Sequence, residues 1–208
     1  ESAFRGNAYL SEVNLPSVVN GGSTVFSGCY RLKNVNMNSC EILGDESFSL
    51  CRALKTLSLT NLSAITYDGF GGITYNGMFG FCTSLNSIDL TNLKTIESSV
   101  KRLFYHCENL AEFNAPKLES ICSEMFSDCY TLENIKIPKA ELIGERAFYY
   151  NISLNDLSIP NVISILKDAF CNSTVSYIDA AELLTLGSYV FSCLLYTSPS
   201  PRDGATSR

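Results

Sequence analysis

The sequence predicts an α/β repeat solenoid, in which one short strand per turn stacks into a parallel sheet and short helical, 3₁₀ or irregular segments return to the next strand. Two observations predict it. Apolar residues recur six, nine and eleven positions after an anchoring phenylalanine, as in Leu132, Ile135 and Ile137 after Phe126. The anchors themselves are regularly spaced, since six of their eight intervals lie within one residue of 22, which is typical of a solenoid. They are Phe4, Phe26, Phe48, Phe79, Phe104, Phe126, Phe148, Phe170 and Phe191.

The apolar residues nine and eleven positions after each anchor alternate with polar ones, which predicts a strand with one buried face. Proline follows several of these strands, where it ends the ladder. Each unit then carries an apolar residue about seventeen positions after its anchor, such as Ile121 or Ile143. The remaining return path of about eight residues has room for one turn of helix or 3₁₀. The strand-ending prolines are Pro16, Pro116, Pro138 and Pro160.

The shared frame, F-x-x-C-x-x-L-x-x-I-x-I-P-x-x-x-x-I-x-x-x-x-F, resembles the BspA-like class of leucine-rich repeat. The resemblance extends from Phe4 to about Cys193. It implies a curved, right-handed leucine-rich-repeat solenoid with the sheet on its concave side. It also implies a cell-surface or secreted protein of mucosal bacteria or protists.

We therefore predict a solenoid of about eight turns over residues 1–193, with a loop insertion at 66–78 and three extra residues around 98–102. Residues 194–208 form a non-repeat tail, which we expect to be disordered from about residue 197 and not to be native. We also expect the chain to be a fragment, because neither end carries a polar capping repeat.

Composition excludes some functions. The formal net charge of -6 argues against a nucleic-acid surface, which needs clustered lysine and arginine. No apolar run approaches the roughly 18 residues that span a bilayer. The content of 46% hydrophobic and 17% charged residues is sufficient for a packed core.

Five cysteines lie three positions after an anchor, so they stack as a column. Neighbouring turns are close enough for disulfides, but Asn151 takes this place in the seventh unit, so we favour buried thiols acting as small hydrophobes. Zinc is disfavoured by the absence of C-x-x-C and the single histidine, His106, which we expect to be exposed. We predict no catalytic residue, cofactor or metal, and hence no enzyme. The column cysteines are Cys29, Cys51, Cys82, Cys107 and Cys129.

The outward positions of the predicted strands are the candidate partner-binding face. Five acidic side chains stand there against one lysine, with one tyrosine. A solvated face without a partner is the alternative, because interface hot spots are usually tryptophan, tyrosine or arginine. The candidates are Glu12, Asn34, Asn36, Asp89, Glu112, Asn114, Asn134, Lys136, Asp156, Tyr177 and Asp179.

The insertion supplies candidate loop contacts at Tyr67, Phe70 and Tyr75, unless it is only a tolerated insertion. Three N-glycosylation sequons begin at Asn61, Asn151 and Asn172, of which we expect Asn151 to be buried.

The sequence thus predicts a non-enzymatic recognition or adhesion module that binds a protein, either host extracellular matrix or another microbial surface protein. The alternative is a structural spacer or scaffold from a larger multidomain protein. An accessory arm of an enzyme is a third reading, supported by nothing within these residues.

Overall fold

The computed structural model describes residues 2–67 and 76–195. The described chain forms eight turns, and each turn contributes two short strands. In chain order the strands are β1 (Glu12–Asn14), β2 (Asn20–Gly21), β3 (Asn34–Asn36), β4 (Ile42–Gly44), β5 (Thr56–Ser58), β6 (Ala64–Thr66), β7 (Ser87–Asp89), β8 (Thr95–Ile96), β9 (Glu112–Asn114), β10 (Ser120–Ile121), β11 (Asn134–Lys136), β12 (Leu142–Ile143), β13 (Asp156–Ser158), β14 (Ser164–Ile165), β15 (Tyr177–Asp179) and β16 (Thr185–Leu186).

The odd-numbered strands form one side, which we call the first sheet. They are hydrogen-bonded in three parallel groups, β1–β3, β5–β7–β9–β11 and β13–β15. Equivalent residues of successive units face one another, as Phe113 faces Ile135 and Leu157 faces Ile178. The strand predicted from the apolar positions nine and eleven after each anchor is therefore confirmed, and the structure places it at positions eight to ten, or seven to nine in the last unit.

The even-numbered strands form a second parallel sheet, in the groups β2–β4–β6–β8 and β10–β12–β14–β16. This corrects the predicted α/β class and its helical return segments, because the described residues contain no helix. Some return-path amides donate to the neighbouring turn, as Gly144 N does to Ile121 O at 2.9 Å, and others close a tight turn within their own unit, as Leu118 N does to Ala115 O at 3.1 Å. These bonds satisfy the backbone without a helix. The parallel solenoid of about eight turns is confirmed.

The anchoring phenylalanines form the third side as a column of stacked rings, with neighbouring centroids 5.1 to 5.7 Å apart. Offset stacking of this kind adds to the free energy gained by burying each ring. The seven rings from Phe26 to Phe170 are fully buried, whereas Phe191 at the last turn is 39% exposed.

Each column phenylalanine is flanked by left-handed residues two positions before and two positions after it. Around Phe104 these are Arg102, with φ of 60°, and His106, with φ of 55°. The pattern accounts for every described residue with positive φ, fifteen of them non-glycine. It lets alternate amides point at the next turn, so that Phe104 N donates to Met125 O at 2.8 Å and His106 N to Ser127 O at 3.0 Å. This third side, the phenylalanine side, is a hydrogen-bonded ladder although it contains no strand.

The stretch with three extra residues near 98–102 sends one side chain into the core, while Ser98, Ser99 and Lys101 stay exposed. Val100 is fully buried and donates its amide to Glu97 O at 2.9 Å. The longer insertion begins after β6, and most of it lies outside the described residues. Insertions are thus accepted between the second sheet and the phenylalanine side.

Replacing Phe126 by alanine should lower the free energy of unfolding by about 3–5 kcal/mol, because a buried ring that packs against two column neighbours is lost. Phe191→Ala is the matched control in the same column, and it should cost less than half as much because that ring is already 39% exposed. Chemical denaturation measures both. Equal losses for the two variants would contradict the stacked column.

Candidate functional site

The outward side chains of the first sheet form two parallel rows, which together we call the first-sheet face. One row contains the first residue of each strand and the other contains the third. The register pairs Glu12 with Asn34, Asn134 with Glu112 and Asp156 with Tyr177 in the first row. It pairs Asn14 with Asn36, Lys136 with Asn114 and Ser158 with Asp179 in the second. Because strands in a sheet stand about 4.8 Å apart, each row presents one side chain per turn at that spacing.

All eleven candidate residues of this face lie on it. Asn36 and Asp179 are half-buried, and the other nine are exposed. Tyr177 is the large aromatic of the face, 62% exposed on β15. The structure therefore brings the candidates together as one surface, while their role in binding stays a prediction.

Part of the first-sheet face is shaped by its own hydrogen bonds. Asn36 Nδ2 donates to Asn14 Oδ1 at 2.8 Å, which ties two neighbouring turns. The Asp89 carboxylate accepts from the Thr91 amide at 3.1 Å and from the Thr91 hydroxyl. These contacts fix side-chain directions and so lower the entropy that binding must remove.

A shallow hollow of about 480 Å³ lies on the first-sheet face. It spans the junction between the β1–β3 pair and the β5–β11 group, where the hydrogen-bonded groups change. Its lining is mostly polar and includes Asn34, Thr56, Ser58, Ser87 and Asp89, with Lys33 at the margin. A lining of short polar side chains fits a partner side chain better than a drug-like apolar ligand.

Tyr67 directly follows β6 and is 38% exposed. Its backbone amide donates to Glu97 Oε2 at 2.8 Å, so the start of the insertion is tied to the next turn. The other candidate loop contacts, Phe70 and Tyr75, lie outside the described residues.

The five column cysteines are free and buried. Each thiol donates to the carbonyl oxygen of the column phenylalanine one turn earlier, as Cys129 Sγ does to Phe104 O at 3.1 Å. The same oxygen accepts the Cys107 amide at 3.0 Å. The cysteine of the repeat frame is therefore a small buried donor, as the buried-thiol interpretation predicts. Burial raises the pKa of the Cys82 thiol to about 12 and that of Cys107 well above its usual value, so both are poor nucleophiles.

In the seventh unit Asn151 stands in place of the column cysteine and makes the equivalent hydrogen bond. It is fully buried, and its Nδ2 donates to Phe126 O at 2.6 Å. Its Oδ1 has no hydrogen-bond partner. The expectation that Asn151 is buried is confirmed, and its sequon cannot be glycosylated in the folded chain. Asn61 is exposed and Asn172 half-buried.

Sequence reasoning missed an aromatic cluster on the phenylalanine side. His106 is half-buried, not exposed as expected, because its ring stacks on Phe81 with centroids 4.9 Å apart. Tyr105 and Tyr130 meet the same imidazole edge-on, at 4.5 and 6.4 Å. Glu108 and Asp128 lie 3.6 and 3.7 Å from its two nitrogens. The available signal was the concentration of aromatic residues just after the anchors in the fourth to seventh units.

In the described ranges no three His, Cys, Asp or Glu side chains converge to hold a metal ion. Nor does the described chain contain a helix long and apolar enough to cross a membrane.

Iodoacetamide applied to the reduced, folded protein at about pH 8 should label Cys193 and leave Cys107 and Cys129 unlabelled, because only Cys193 is exposed. Burial raises the pKa of the column thiols, so the reactive thiolate is scarce below that pKa and forms only as the pH rises towards it. Unfolding the protein in guanidinium should make all of the column cysteines accessible to iodoacetamide. Peptide mass spectrometry reads the sites, and labelling of the column at the rate of Cys193 would contradict the buried column.

Comparison with known proteins agrees with the repeat frame. The model of the BspA type leucine rich repeat region matches residues 1–75 and 72–197, with six copies. No curated protein matches the sequence.

Among solved structures, a leucine-rich repeat protein from T. pallidum is 20% identical, with a TM-score of 0.59 over 92% of this chain and 79% of that one. A leucine-rich repeat protein from Bacteroides ovatus ATCC 8483 is 22% identical, with a TM-score of 0.46 over 88% of this chain. This chain spans 58% of that protein's length. A leucine rich cell surface protein from Faecalibacterium prausnitzii A2-165 is 17% identical, with a TM-score of 0.43 over 100% of this chain and 78% of that one. Since the family model matches nearly the whole sequence, the chain belongs to the BspA-type leucine-rich repeat family.

Proposed function

We propose that this chain is a non-enzymatic protein-recognition module of a cell-surface or secreted protein. It contacts a protein partner through the first-sheet face, with the insertion beginning at Tyr67 adding aromatic contacts. The observation that carries the proposal is the pair of mostly exposed rows of polar side chains, which the first sheet presents on strands hydrogen-bonded in three parallel groups. Repeat proteins commonly bind partners through such extended surfaces.

The negative charge of the first-sheet face favours a partner with a basic surface. The candidate residues of the first-sheet face include five carboxylates, Glu12, Asp89, Glu112, Asp156 and Asp179, against Lys136. A basic patch on the partner therefore complements the face and is steered to it at low salt. The partner classes we propose are host extracellular matrix and other microbial surface proteins, in keeping with the family's surface proteins.

A structural spacer is the second candidate function. The specific observation in its favour is the scarcity of hot-spot side chains on the first-sheet face, where Tyr177 is the aromatic candidate. A spacer needs only the stacked backbone, so it should accept any soluble substitution on this face. A binding module should not.

The double variant Asp89→Lys with Glu112→Lys should weaken binding at least about fivefold at low salt and flatten its salt dependence, because two attractive charges become repulsive. The measurement is retention of the labelled chain on immobilised host extracellular matrix over a salt series. Glu145→Lys with Glu182→Lys changes the net charge equally but away from the first sheet, so it is the matched control. Equal retention of the two double variants would remove the first-sheet face from the proposal.

A further inference from the structure

A notch of about 240 Å³ opens on the phenylalanine side, on a different side of the solenoid from the first-sheet face. Tyr105, Ser127, Asp128 and Tyr149 line it, together with Glu124 and Arg146. Tyr105, Ser127 and Tyr149 each follow a column phenylalanine directly, in three successive turns. The notch exists because the middle turn has a serine where both neighbouring turns have a tyrosine.

The spacing of the turns sets the width of the notch. Neighbouring turns stand about 4.8 Å apart, so the two tyrosines, two turns apart, are separated by about 10 Å. A gap of that size between two aromatic side chains accepts one extended side chain or one flat group. Ser127 is only 3% exposed, so it forms the floor and not the rim.

The two arginines near the notch each pair with a carboxylate, and neither of these carboxylates is Asp128. Arg102 Nε bonds Glu124 at 2.8 Å, and Arg146 Nε lies 3.4 Å from Asp168. Both arginines also stack on a tyrosine of their own turn, at 5.1 Å for Tyr105 and 6.0 Å for Tyr149. Their charge is thus directed at carboxylates other than Asp128.

Asp128 is surrounded mainly by neutral donors. Ser127 Oγ and Tyr130 Oη donate to it at 3.2 and 3.3 Å, and His106 Nε2 at 3.7 Å is cationic only when protonated. Burial, followed by the negative charge of Asp128, raises the pKa of Tyr105. The same two causes, together with the hydrogen bond from Tyr130 to Asp128, raise the pKa of Tyr130 to about 12. Both phenols therefore stay neutral. The Asp128 side chain is still 16% exposed.

We propose that the notch between Tyr105 and Tyr149 receives a single cationic side chain, lysine or arginine, of a protein partner. The cation lies between the two aromatic side chains and donates a charge-assisted hydrogen bond to Asp128. Among the described residues Arg102 pairs with Glu124 and Arg146 with Asp168, while the Asp128 carboxylate accepts only from hydroxyl groups and faces His106. A carboxylate without an arginine or lysine partner, in a notch between two tyrosines, favours a cation over an anion. The site uses none of the residues of the first-sheet face, so it would be a second contact surface. A test of the notch can therefore fail while the proposed role of the first-sheet face stands, and the reverse also holds.

The probe is Nα-acetyl-L-arginine amide, titrated at low salt and about pH 8, where an ordinary imidazole is neutral. The control ligand is the citrulline amide, which has nearly the same shape and no charge. Chemical-shift changes of the backbone amides report the binding site residue by residue. We expect the arginine amide to shift Tyr105, Ser127, Asp128 and Tyr149 together, and the citrulline amide to shift them at least about tenfold more weakly.

Asp128→Asn keeps the shape of the side chain and suits the left-handed backbone there, with φ of 62°, because asparagine adopts that conformation readily. It should weaken binding about tenfold or more. Ser127→Tyr should abolish binding by filling the notch, with the fold kept because tyrosine already occupies this position in both neighbouring turns. Glu141→Gln removes one charge from the second-sheet side and should change binding less than twofold.

Equal binding of the two amides, an unaltered affinity in Asp128→Asn, or shifts spread over the whole acidic surface would each overturn the assignment. So would shifts of these four amides by N-acetylglucosamine but not by the arginine amide, which would make the notch a sugar site.

Discussion

The stacked column of phenylalanine rings is the interaction on which the rest of the structure depends. Each ring is held between two left-handed residues, a conformation that costs about 1–2 kcal/mol for most non-glycine side chains. Burial of a phenylalanine, worth about 1.5–3 kcal/mol, and the inter-turn bonds around it offset that cost. The ring centroids lie 5.1 to 5.7 Å apart, slightly more than the strand spacing of about 4.8 Å, so stacked rings and paired strands advance by nearly the same distance per turn.

Because the backbone and the buried positions repeat from turn to turn, differences in surface chemistry along the solenoid come from the side chains that vary. Buried positions repeat because their surroundings repeat: Cys107, Cys129 and Asn151 all donate to the phenylalanine carbonyl one turn earlier. Outward positions have no such constraint and differ from turn to turn. The first-sheet face presents polar, mainly acidic side chains in two rows. The phenylalanine side gathers aromatic residues and arginine–carboxylate pairs instead, a composition closer to that of interface hot spots.

The place of the first sheet in each unit could be predicted, because the alternation of Ile135 and Ile137 with polar residues indicates a strand with one buried face, although β11 itself ends at Lys136. The second sheet could not be predicted, since Leu142–Ile143 is too short to show a period. The left-handed ladder leaves no compositional signal: Thr24, Arg102 and Tyr150 all have positive φ where glycine or asparagine would be expected. The notch was hidden for a related reason, because Tyr105 and Tyr149 become neighbours of Asp128 only after three turns are stacked.

Native-state hydrogen exchange of the amides on the phenylalanine side tests the account most directly. The amides of Arg102, Phe104 and His106 lie outside every strand, yet they donate to the next turn at 2.9, 2.8 and 3.0 Å. These amides should exchange as slowly as the amides of the first sheet, because both sets open only when turns separate. Exchange at the rate of free loop amides would mean that the ladder is not formed, and that the phenylalanine column does not hold the turns together.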